Sequence, residues 1–301
     1  MNILLLGANG QIGWELQRSL VLLGQVKACD RHAADLENLD GLRKLVRDYC
    51  PNVIVNAAAY TAVDRAESEP AKAHLINAKA VKLLAVEAKK LDAWLVHYST
   101  DYIFDGTKKC AYTETDKPNP QSVYGKTKLQ GEQAIEVSGC MYLIFRTSWV
   151  YATRGKNFVT TIIRLAKEHN EVKVVSDQIG APTSAELIAD LTALCLYQIT
   201  CKKNSVPDAT GIYHLTPEGK TSWHEFAQFV ITESLRLGAT FLAGPDNVVP
   251  IRTSEYPLPA KRPSNSLLDA QKLRNTFNVY MPPWQTHVKR LITEIHTQQI
   301  I

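Results

Sequence analysis

Short apolar runs alternate with amphipathic segments through the first half of the chain. A run of four to eight apolar residues is typical of a buried strand, and apolar positions three and four apart are typical of a helix. The predicted strands are residues 3–6, 26–29, 53–57, 94–98 and 141–145. The predicted helices are residues 11–23, 39–49 and 70–91, with a further helix that begins near Gln121. This alternation predicts an α/β fold built on a doubly wound parallel sheet.

A glycine-rich turn, Gly7-Ala-Asn-Gly10-Gln-Ile-Gly13, joins the first strand to the first helix. Glycines let the backbone turn tightly and approach a ligand, and the free N–H groups of the helix N-terminus attract negative charge. The spacing differs from the commoner G-x-G-x-x-G, and three glycines alone also fit an ordinary tight turn. In its strand–turn–helix context, the turn predicts a Rossmann-type site for a dinucleotide pyrophosphate.

The second predicted strand ends at Asp30, roughly twenty residues after the glycines, where an acidic side chain meets the adenosine ribose of NADH. An exposed turn aspartate would look the same in sequence. Arg31 comes next and could pair with the additional phosphate of NADPH. We expect both cofactors to work within about tenfold of each other, a difference of about 1.4 kcal/mol.

The pattern changes beyond residue 149, where prolines, short strands and interrupted helices dominate. We therefore predict a dinucleotide-binding Rossmann domain over residues 1–149. Residues 150–301 are predicted to form mainly a smaller C-terminal substrate-binding lobe, with some segments returning to the Rossmann sheet. The last predicted helix, residues 284–296, carries its apolar residues on one side and should pack against another part of the protein.

Polar residues follow the predicted strands at their carboxyl ends, the edge where doubly wound sheets bind ligands. They lie in Ala58-Ala59-Tyr60-Thr61, Ser99-Thr100-Asp101 and Thr147-Ser148-Trp149. The helix after the fourth strand opens with Tyr124 and Lys128, which are four residues apart and therefore share a face. These segments should meet in one cleft.

The tyrosine–lysine pair suits the reduction of a ketone. A free phenol titrates near pH ~10, and a lysine ammonium one turn away is expected to lower the pKa of Tyr124 toward neutrality. Thr100 could donate a hydrogen bond to a carbonyl oxygen that gains negative charge as hydride arrives. We therefore predict hydride transfer from a nicotinamide, with Tyr124 as proton donor. A surface tyrosine and lysine without a role are the competing interpretation.

Composition narrows the range of partners. The 301 residues are 45% hydrophobic with a net charge of +4, and lysine and arginine form no block longer than a pair. This pattern favours neither nucleic acid nor a membrane as partner, and no stretch is apolar for long enough to span a bilayer. The cysteines lack metal-binding spacing, so we expect reduced thiols and a cytoplasmic location.

Seven segments carry a more specific signal through their order and spacing. They are Gly7-x-x-Gly10-x-x-Gly13, Asn56-Ala-Ala-Ala59, Ser99-Thr-Asp-Tyr102, Tyr124-Gly-Lys-Thr-Lys128, Arg146-Thr-Ser-Trp149, Asp177-Gln-x-Gly-Ala-Pro-Thr183 and Arg262-Pro263. Together they resemble the dTDP-4-dehydrorhamnose reductases, which are extended short-chain dehydrogenase/reductases. The resemblance covers essentially the whole chain. It implies reduction of the C4 ketone of dTDP-6-deoxy-L-lyxo-4-hexulose by NADPH or NADH, the last step of dTDP-L-rhamnose synthesis for surface polysaccharide.

The resemblance also implies roles for individual residues. Thr100, Tyr124 and Lys128 would be catalytic, and the sugar would face Thr100, Asp101, Tyr124 and Trp149. The implied cofactor site comprises Gly7, Gly10, Gln11, Ile12, Gly13, Asp30, Asp35, Leu36, Ala59, Tyr60, Thr61, Tyr98, Tyr124 and Lys128. A magnesium ion held by Glu15, Glu186 and Glu294 would support a homodimer, although scattered glutamates are ordinarily surface residues.

Two other functions share these features. A nucleotide-sugar epimerase or dehydratase has the same sheet, tyrosine and lysine but returns the hydride to its substrate; the segments around Thr100 and Trp149 argue against it. A dinucleotide-binding regulatory subunit would have no turnover, and the intact Tyr124, Lys128 and Thr100 argue against that role. Leu267 departs from the reductase pattern, because relatives can carry a basic residue there, so local contacts at this position are expected to differ.

Overall fold

A computed structural model of the chain describes residues 1–201 and 209–298, so the predicted second domain, residues 150–301, extends beyond them. The strands are β1 Asn2–Leu6, β2 Gln25–Cys29, β3 Val53–Asn56, β4 Trp94–Thr100, β5 Met141–Thr147, β6 Val150–Tyr151, β7 Val172–Val175, β8 Ile179–Gly180, β9 Thr183–Ser184, β10 Gly211–His214, β11 Thr221–Ser222 and β12 Val248–Ile251.

The α-helices are α1 Gln11–Leu20, α2 Leu39–Tyr49, α3 Val63–Ser68, α4 Pro70–His74, α5 Ala80–Lys90, α6 Val123–Glu136, α7 Phe158–Glu168, α8 Ala185–Thr200, α9 Trp223–Arg236, α10 Gln271–Phe277 and α11 Trp284–Gln298. Short 3-10 turns follow β4 and flank β12. Within the described ranges, none of the helices has the length and apolarity needed to cross a membrane.

Six strands form one parallel sheet in the order β2-β1-β3-β4-β5-β10. A parallel sheet buries both of its faces, which explains why its strands are apolar almost throughout. From β1 the chain adds β2 on one side and β3 on the other, which creates the crevice where such sheets bind nucleotides. The predicted Rossmann-type doubly wound sheet is therefore confirmed.

Helices cover each face of this sheet and enclose a separate apolar core. On one face Leu5 and Phe145 pack with Leu191 of α8 and with residues of α1 and α10. On the other face Leu4 and Leu84 belong to a core that joins the sheet to α2 and α5. Since α8, β10 and α10 come from beyond residue 150, the second half of the chain completes the sheet domain.

The remaining segments build a second region around α7, α9 and α11. Its core contains Phe226, Trp284 and Ile292, and short two-strand pairs, β7 with β12 and β8 with β11, lie beside it. The sequence pattern predicted interrupted helices here, and this part of the prediction is wrong. These helices run for 11, 14 and 15 residues, because the prolines fall in the connections between them rather than inside them.

Two predicted helices differ from the observed ones. Helix α1 ends at Leu20 instead of residue 23, and Leu22 is 85% exposed, so its apolar side chain does not signal burial. The segment predicted as one helix over residues 70–91 contains a π-helical turn, Leu75–Lys79. Inside that turn the side chain of Asn77 accepts a hydrogen bond from Tyr60 N at 2.9 Å and donates one to Thr127 Oγ1 at 3.2 Å. Tertiary hydrogen bonds therefore shape this turn.

Close packing at Gly13 fixes the turn between β1 and α1. A Cβ atom at this position would lie 2.0 Å from the carbonyl oxygen of Gly7 and 3.1 Å from the Cα of Ala8. Gly7 itself adopts a φ of +80°, a conformation in which a residue with a side chain would be strained. The glycine pair thus brings the first helix against the first strand at the distance that the turn requires.

Gly13→Ala is expected to lower the free energy of unfolding by about 1–3 kcal/mol, because the backbone of Gly7 must move to admit the methyl group. Gly211→Ala is the matched control, since its added Cβ would meet nothing closer than 3.5 Å, and it should change stability by less than about 1 kcal/mol. Urea denaturation of both variants measures the difference. Equal stabilities would contradict this account of the turn.

Candidate active site

A cleft of about 880 Å³ opens at the carboxyl ends of the sheet strands. Most of the residues predicted for the site line it, namely Gly7, Gly10, Gln11, Ile12, Asp30, Asp35, Leu36, Ala59, Thr61, Tyr98, Thr100, Asp101, Tyr124, Lys128 and Trp149. Gly13 and Tyr60 are not among the lining residues. Gly13 packs beneath the turn, while the hydroxyl of Tyr60 donates to Glu69 Oε2 at 2.7 Å. The fold thus gathers residues from five strand ends around one space.

The glycine turn presents the N-terminus of α1 to the cleft. Gly10 N donates to the carbonyl oxygen of Gly7 at 2.9 Å, which closes the turn, and the next residues begin the helix. The first turn of the helix contains no acidic residue, so its N–H groups and dipole are free to attract an anion. This end of the cleft suits a pyrophosphate.

Asp30 stands at the end of β2, where the ribose of a dinucleotide would lie. Its Oδ1 accepts hydrogen bonds from the backbone N–H groups of His32 and Ala33, and its Oδ2 accepts one from Asn9 Nδ2 at 3.2 Å. The backbone hydrogen bond from Ala33 is the largest of the influences that lower the pKa of Asp30. Asp30 is therefore held as an ionised acceptor.

Arg31 is engaged by carboxylates rather than pointing freely into the cleft. Its guanidinium donates to Glu37 Oε1 and lies 3.8 Å from Asp35. Lys72 approaches the same Glu37 oxygen at 3.2 Å. A phosphate bound at this position would have to compete with Glu37 for these two cations.

The fourth strand and helix α6 bring Thr100 and Tyr124 together. Ser122 caps α6 by accepting a hydrogen bond from Gly125 N at 3.1 Å, which fixes where the helix begins. The hydroxyl of Thr100 donates to Asp101 Oδ1 at 3.0 Å and also accepts from Tyr102 N. The cleft therefore holds two hydroxyl groups from adjacent elements, arranged to hydrogen-bond a ligand oxygen.

The predicted lowering of the Tyr124 pKa is wrong for the structure as it stands. Removal from water raises the pKa of the Tyr124 phenol to about 12, and a hydrogen bond from Thr100 offsets only part of this effect. The ammonium of Lys128 bonds elsewhere and does not compensate for the burial. Tyr124 consequently stays protonated at neutral pH, which suits a group that gives up a proton only when a base forms beside it.

Lys128 is buried, with 1% of its surface exposed, although one side of it lines the cleft. Its Nζ donates to the carbonyl oxygen of Tyr98 at 2.6 Å and lies 3.0 Å from His97 Nε2. Burial lowers the pKa of the Lys128 ammonium to about 8, while the negative charge of Glu132 partly opposes this. The lysine is therefore a titratable cation close to neutral pH.

Asp101 adds a buried carboxyl group beside these hydroxyls. It is 3% exposed, and its Oδ2 finds no hydrogen-bond partner. Burial raises the pKa of Asp101 to about 7, and a hydrogen bond from Ser266 is the largest of the opposing effects. A buried polar atom without a partner at a cleft wall is suited to bind a ligand hydroxyl.

Trp149 forms a flat wall of the cleft. Its indole stacks on that of Trp223 with ring centroids 3.5 Å apart, and its backbone adopts the left-handed region at a φ of +50°. A Cβ at Gly180 would lie 2.6 Å from the Trp149 ring. The stack with Trp223 and the close packing at Gly180 hold this strained residue in place.

Arg154, Lys156 and Trp223 are among the lining residues that sequence reasoning missed. Arg154 places its guanidinium 3.6 Å over the ring of Trp14. Arg154 and Lys156 flank Gly155 shortly after the fifth strand. Two basic residues beside a glycine indicate an anion site, and this signal was present in the sequence. Trp223 is distant in sequence from the other lining residues. Its stack with Trp149 places it at the cleft.

The three glutamates predicted to bind magnesium do not form a metal site in one chain. Glu186 and Glu294 are close enough to Glu15 to help raise its pKa, after burial as the main cause. Among the described residues, however, no group of three or more His, Cys, Asp or Glu side chains has metal-binding geometry. Arg290 donates to Glu186 at 3.1 Å and already neutralises that carboxylate.

The chain is similar to known proteins in both sequence and fold. The family model described as the RmlD substrate binding domain matches residues 1–297. The dTDP-4-dehydrorhamnose reductases of Salmonella typhimurium and Escherichia coli (strain K12) are 48% and 47% identical over all of this chain and all of theirs. The solved structure of the enzyme of that name from Bacillus anthracis, in complex with NADP, is 34% identical. It superposes with a TM-score of 0.86 and covers 97% of this chain and 99% of its own.

Glu37→Gln is expected to raise the ratio of NADP⁺ to NAD⁺ affinity by about threefold to tenfold, equivalent to about 0.7–1.4 kcal/mol, because it frees Arg31 for the additional phosphate. Asp40→Asn is the matched control, since it breaks the ion pair with Arg43 on α2 at a residue that does not line the cleft. Calorimetric titration of each variant with both dinucleotides measures the ratio. An unchanged ratio in Glu37→Gln would remove Glu37 from cofactor choice.

Proposed function

The chain belongs to the RmlD substrate-binding domain family, and from that premise we propose that it is an NADPH- or NADH-dependent dTDP-4-dehydrorhamnose reductase. The carrying observation is the meeting of Thr100, Tyr124 and Lys128 in one cleft with the glycine turn of β1. Full-length identity of 48% to a reductase of that name supports the same activity. The reaction reduces the C4 ketone of dTDP-6-deoxy-L-lyxo-4-hexulose to the alcohol of dTDP-L-rhamnose.

The cleft residues would have two tasks. They would donate a proton to the ketone oxygen and stabilise the negative charge that develops during the reaction. A reduced dinucleotide held in this cleft would supply a hydride to C4, and the ketone oxygen would become more basic as it received the electron pair. Tyr124 donates its phenolic proton to that oxygen. The Thr100 hydroxyl, which donates to Asp101 Oδ1 in the structure, would turn to donate a hydrogen bond that stabilises the developing charge. Lys128, as the ammonium, stabilises the phenolate that Tyr124 becomes.

The dinucleotide is proposed to run along the carboxyl edge of the sheet. Its pyrophosphate would lie at Gly10, Gln11 and Ile12, where the α1 N-terminus is free of acidic side chains. Its adenosine ribose would meet Asp30, and Leu36 would line the adenine side. Arg154 and Lys156 lie across the same part of the cleft and add positive charge beside the phosphates.

The sugar is proposed to bind between the catalytic residues and Trp149. The indole wall, stacked on Trp223, offers a flat apolar surface to the deoxysugar. Asp101 also lines the cleft, and its carboxyl group would accept a hydrogen bond from a sugar hydroxyl. An apolar wall and a polar acceptor in contact with one sugar ring would fix which face of the ketone meets the hydride.

Further properties complete this proposal. We propose that the enzyme works in the cytoplasm on a soluble dTDP-sugar and supplies rhamnose for surface polysaccharide, without nucleic-acid or membrane partners. A homodimer is proposed through α1 and α8, which pack together and expose Trp14 and Leu194 to 44% and 50%. Magnesium has no part in the proposal, because Glu15, Glu186 and Glu294 do not form a site within the described chain.

A direct assay tests the function. The protein is mixed with the dTDP-ketosugar and NADPH, and loss of absorbance at the reduced-nicotinamide band is followed together with the formation of dTDP-L-rhamnose. One reduced cofactor should be consumed for each sugar formed. A changed sugar without net cofactor consumption would instead indicate an epimerase or dehydratase, and binding without turnover a regulatory subunit.

Tyr124→Phe is expected to lower kcat by roughly 10²–10⁴-fold, because the general acid is lost, while the dissociation constant for NADPH stays nearly unchanged. Tyr142→Phe is a matched control that removes a phenolic hydroxyl from a residue outside the cleft lining. Steady-state kinetics and dinucleotide titration of both variants measure the two effects. Near-native turnover in Tyr124→Phe would exclude the tyrosine as proton donor.

The rate should depend on pH through Lys128. Its pKa is lowered to about 8 by burial, so the ammonium fraction falls as the pH rises through that value. The Tyr124 phenol, with a pKa of about 12, stays protonated over the same range. We therefore expect kcat/KM to fall by about tenfold per pH unit above the Lys128 pKa. A flat profile across this range would show that the lysine charge does not matter.

A further inference from the structure

A buried imidazole lies against Lys128 and has no part in the chemistry described so far. His97 belongs to β4, is 1% exposed and does not line the cleft. Its Nε2 is 3.0 Å from Lys128 Nζ, and its Nδ1 is 3.2 Å from Asn56 Nδ2, while Asn56 Oδ1 accepts from Ala58 N at 3.3 Å. Asn56 and His97 are paired in register on neighbouring strands. Lys128, His97 and Asn56 thus form a continuous series of contacts from α6 through β4 to β3.

The ammonium of Lys128 needs this contact because other acceptors are few. The carbonyl oxygen of Tyr98 takes one of its hydrogens at 2.6 Å. Glu132, one turn further along α6, is committed to Arg146 of β5, whose Nη2 lies 2.6 Å from Glu132 Oε2. Its charge reaches Lys128, but its oxygens already accept three bonds from Arg146.

The other titratable groups near Lys128 lie along the cleft. Tyr124 on the same helix is protonated at neutral pH, and Asp101 beyond the end of β4 shares its hydrogen bond with Thr100. Burial, followed by the charge of Lys128, lowers the pKa of His97 well below its usual range. The imidazole next to the ammonium is thus neutral and carries one lone pair and one N–H.

A neutral imidazole between an amide and an amine fits only two arrangements. With the proton on Nδ1, the Nε2 lone pair accepts from the Lys128 ammonium, and the Asn56 amide turns so that Oδ1 leaves Ala58 N and accepts from Nδ1–H. With the proton on Nε2, that N–H points at Lys128, and Asn56 donates its N–H to Nδ1. The second arrangement matches an uncharged amine. The first matches the ammonium, which catalysis requires.

We propose that His97 is a positioning residue that holds Lys128 in its cationic form, with Nε2 accepting from the ammonium and Nδ1–H anchored on Asn56. Its kinetic consequence rests on the proposed reductase function. The imidazole supplies an acceptor without a negative charge of its own, so Lys128 is held without pairing with a carboxylate. The tautomer of His97 follows the charge of Lys128.

Two substitutions of His97 distinguish the effect of its hydrogen-bond acceptor at Nε2 from the effect of losing the ring. His97→Gln carries its amide far enough to accept from Lys128 as Nε2 does, whereas His97→Asn reaches only the position of Nδ1 near Asn56. Both are uncharged and polar. We expect the alkaline fall of kcat/KM to move down by about one pH unit or more in His97→Asn, the equivalent of a lost hydrogen bond to a charged group. In His97→Gln it should stay near the native position.

The shape of the profile distinguishes positioning from general damage. At pH values low enough for Lys128 to be protonated in the native protein and in both variants, the two variants should have similar kcat/KM. A parallel loss at all pH values, or identical profiles for His97→Asn and His97→Gln, would overturn the proposal. A native protein without reductase turnover would instead refute the proposed function.

A second measurement uses the native protein and needs neither turnover nor a variant fold. The ring nitrogens of His97 are observed by nuclear magnetic resonance on protein labelled with ¹⁵N-histidine, with and without bound NADP⁺. We expect the Nδ1–H tautomer at neutral pH and conversion to the Nε2–H tautomer as Lys128 loses its proton. The Nε2–H tautomer at neutral pH, or a protonated imidazolium, would contradict the proposal.

Discussion

Burial of one lysine ammonium behind the ligand cleft constrains much of this structure. Removing such a charge from water costs several kcal/mol unless it is bonded, and the fold meets this demand with the carbonyl of Tyr98 and the ring of His97. Both acceptors come from β4, so the lysine must approach from the helix that packs over that strand. The position of α6 on the sheet, and with it the position of Tyr124, follows from this contact.

A buried ion pair also keeps α6 in that position. Glu132 and Arg146, exposed to 0% and 2%, join the next turn of the helix to β5. A Cβ at Gly131 would lie 2.3 Å from the carbonyl oxygen of Asn77, so the helix also packs closely against the π-helical turn. Helix, sheet and turn are thus fixed together, and a cleft built on them holds its hydroxyl groups without a ligand.

The sequence predicted the elements with local signals better than those that depend on distant contacts. The glycine turn, the sheet strands and the helical spacing of Tyr124 and Lys128 could be recognised from short segments. The π-helical turn at Asn77, the place of Trp223 and the role of His97 depend on residues far apart in the chain. The direction of the Tyr124 pKa was missed because burial outweighs a neighbouring charge that bonds elsewhere. Spacing also cannot show that Arg290 donates to Glu186, one of the three glutamates predicted to bind magnesium.

The central claim is that Lys128 is a buried cation whose proton is weakly held. The most direct measurement is a pH titration of the native protein labelled with ¹³C at lysine Cε, with the Lys128 resonance assigned from its absence in Lys128→Arg. The account predicts one lysine that titrates at about 8, as burial requires. A Lys128 signal that titrates with the exposed lysines, near ~10.4, would contradict it.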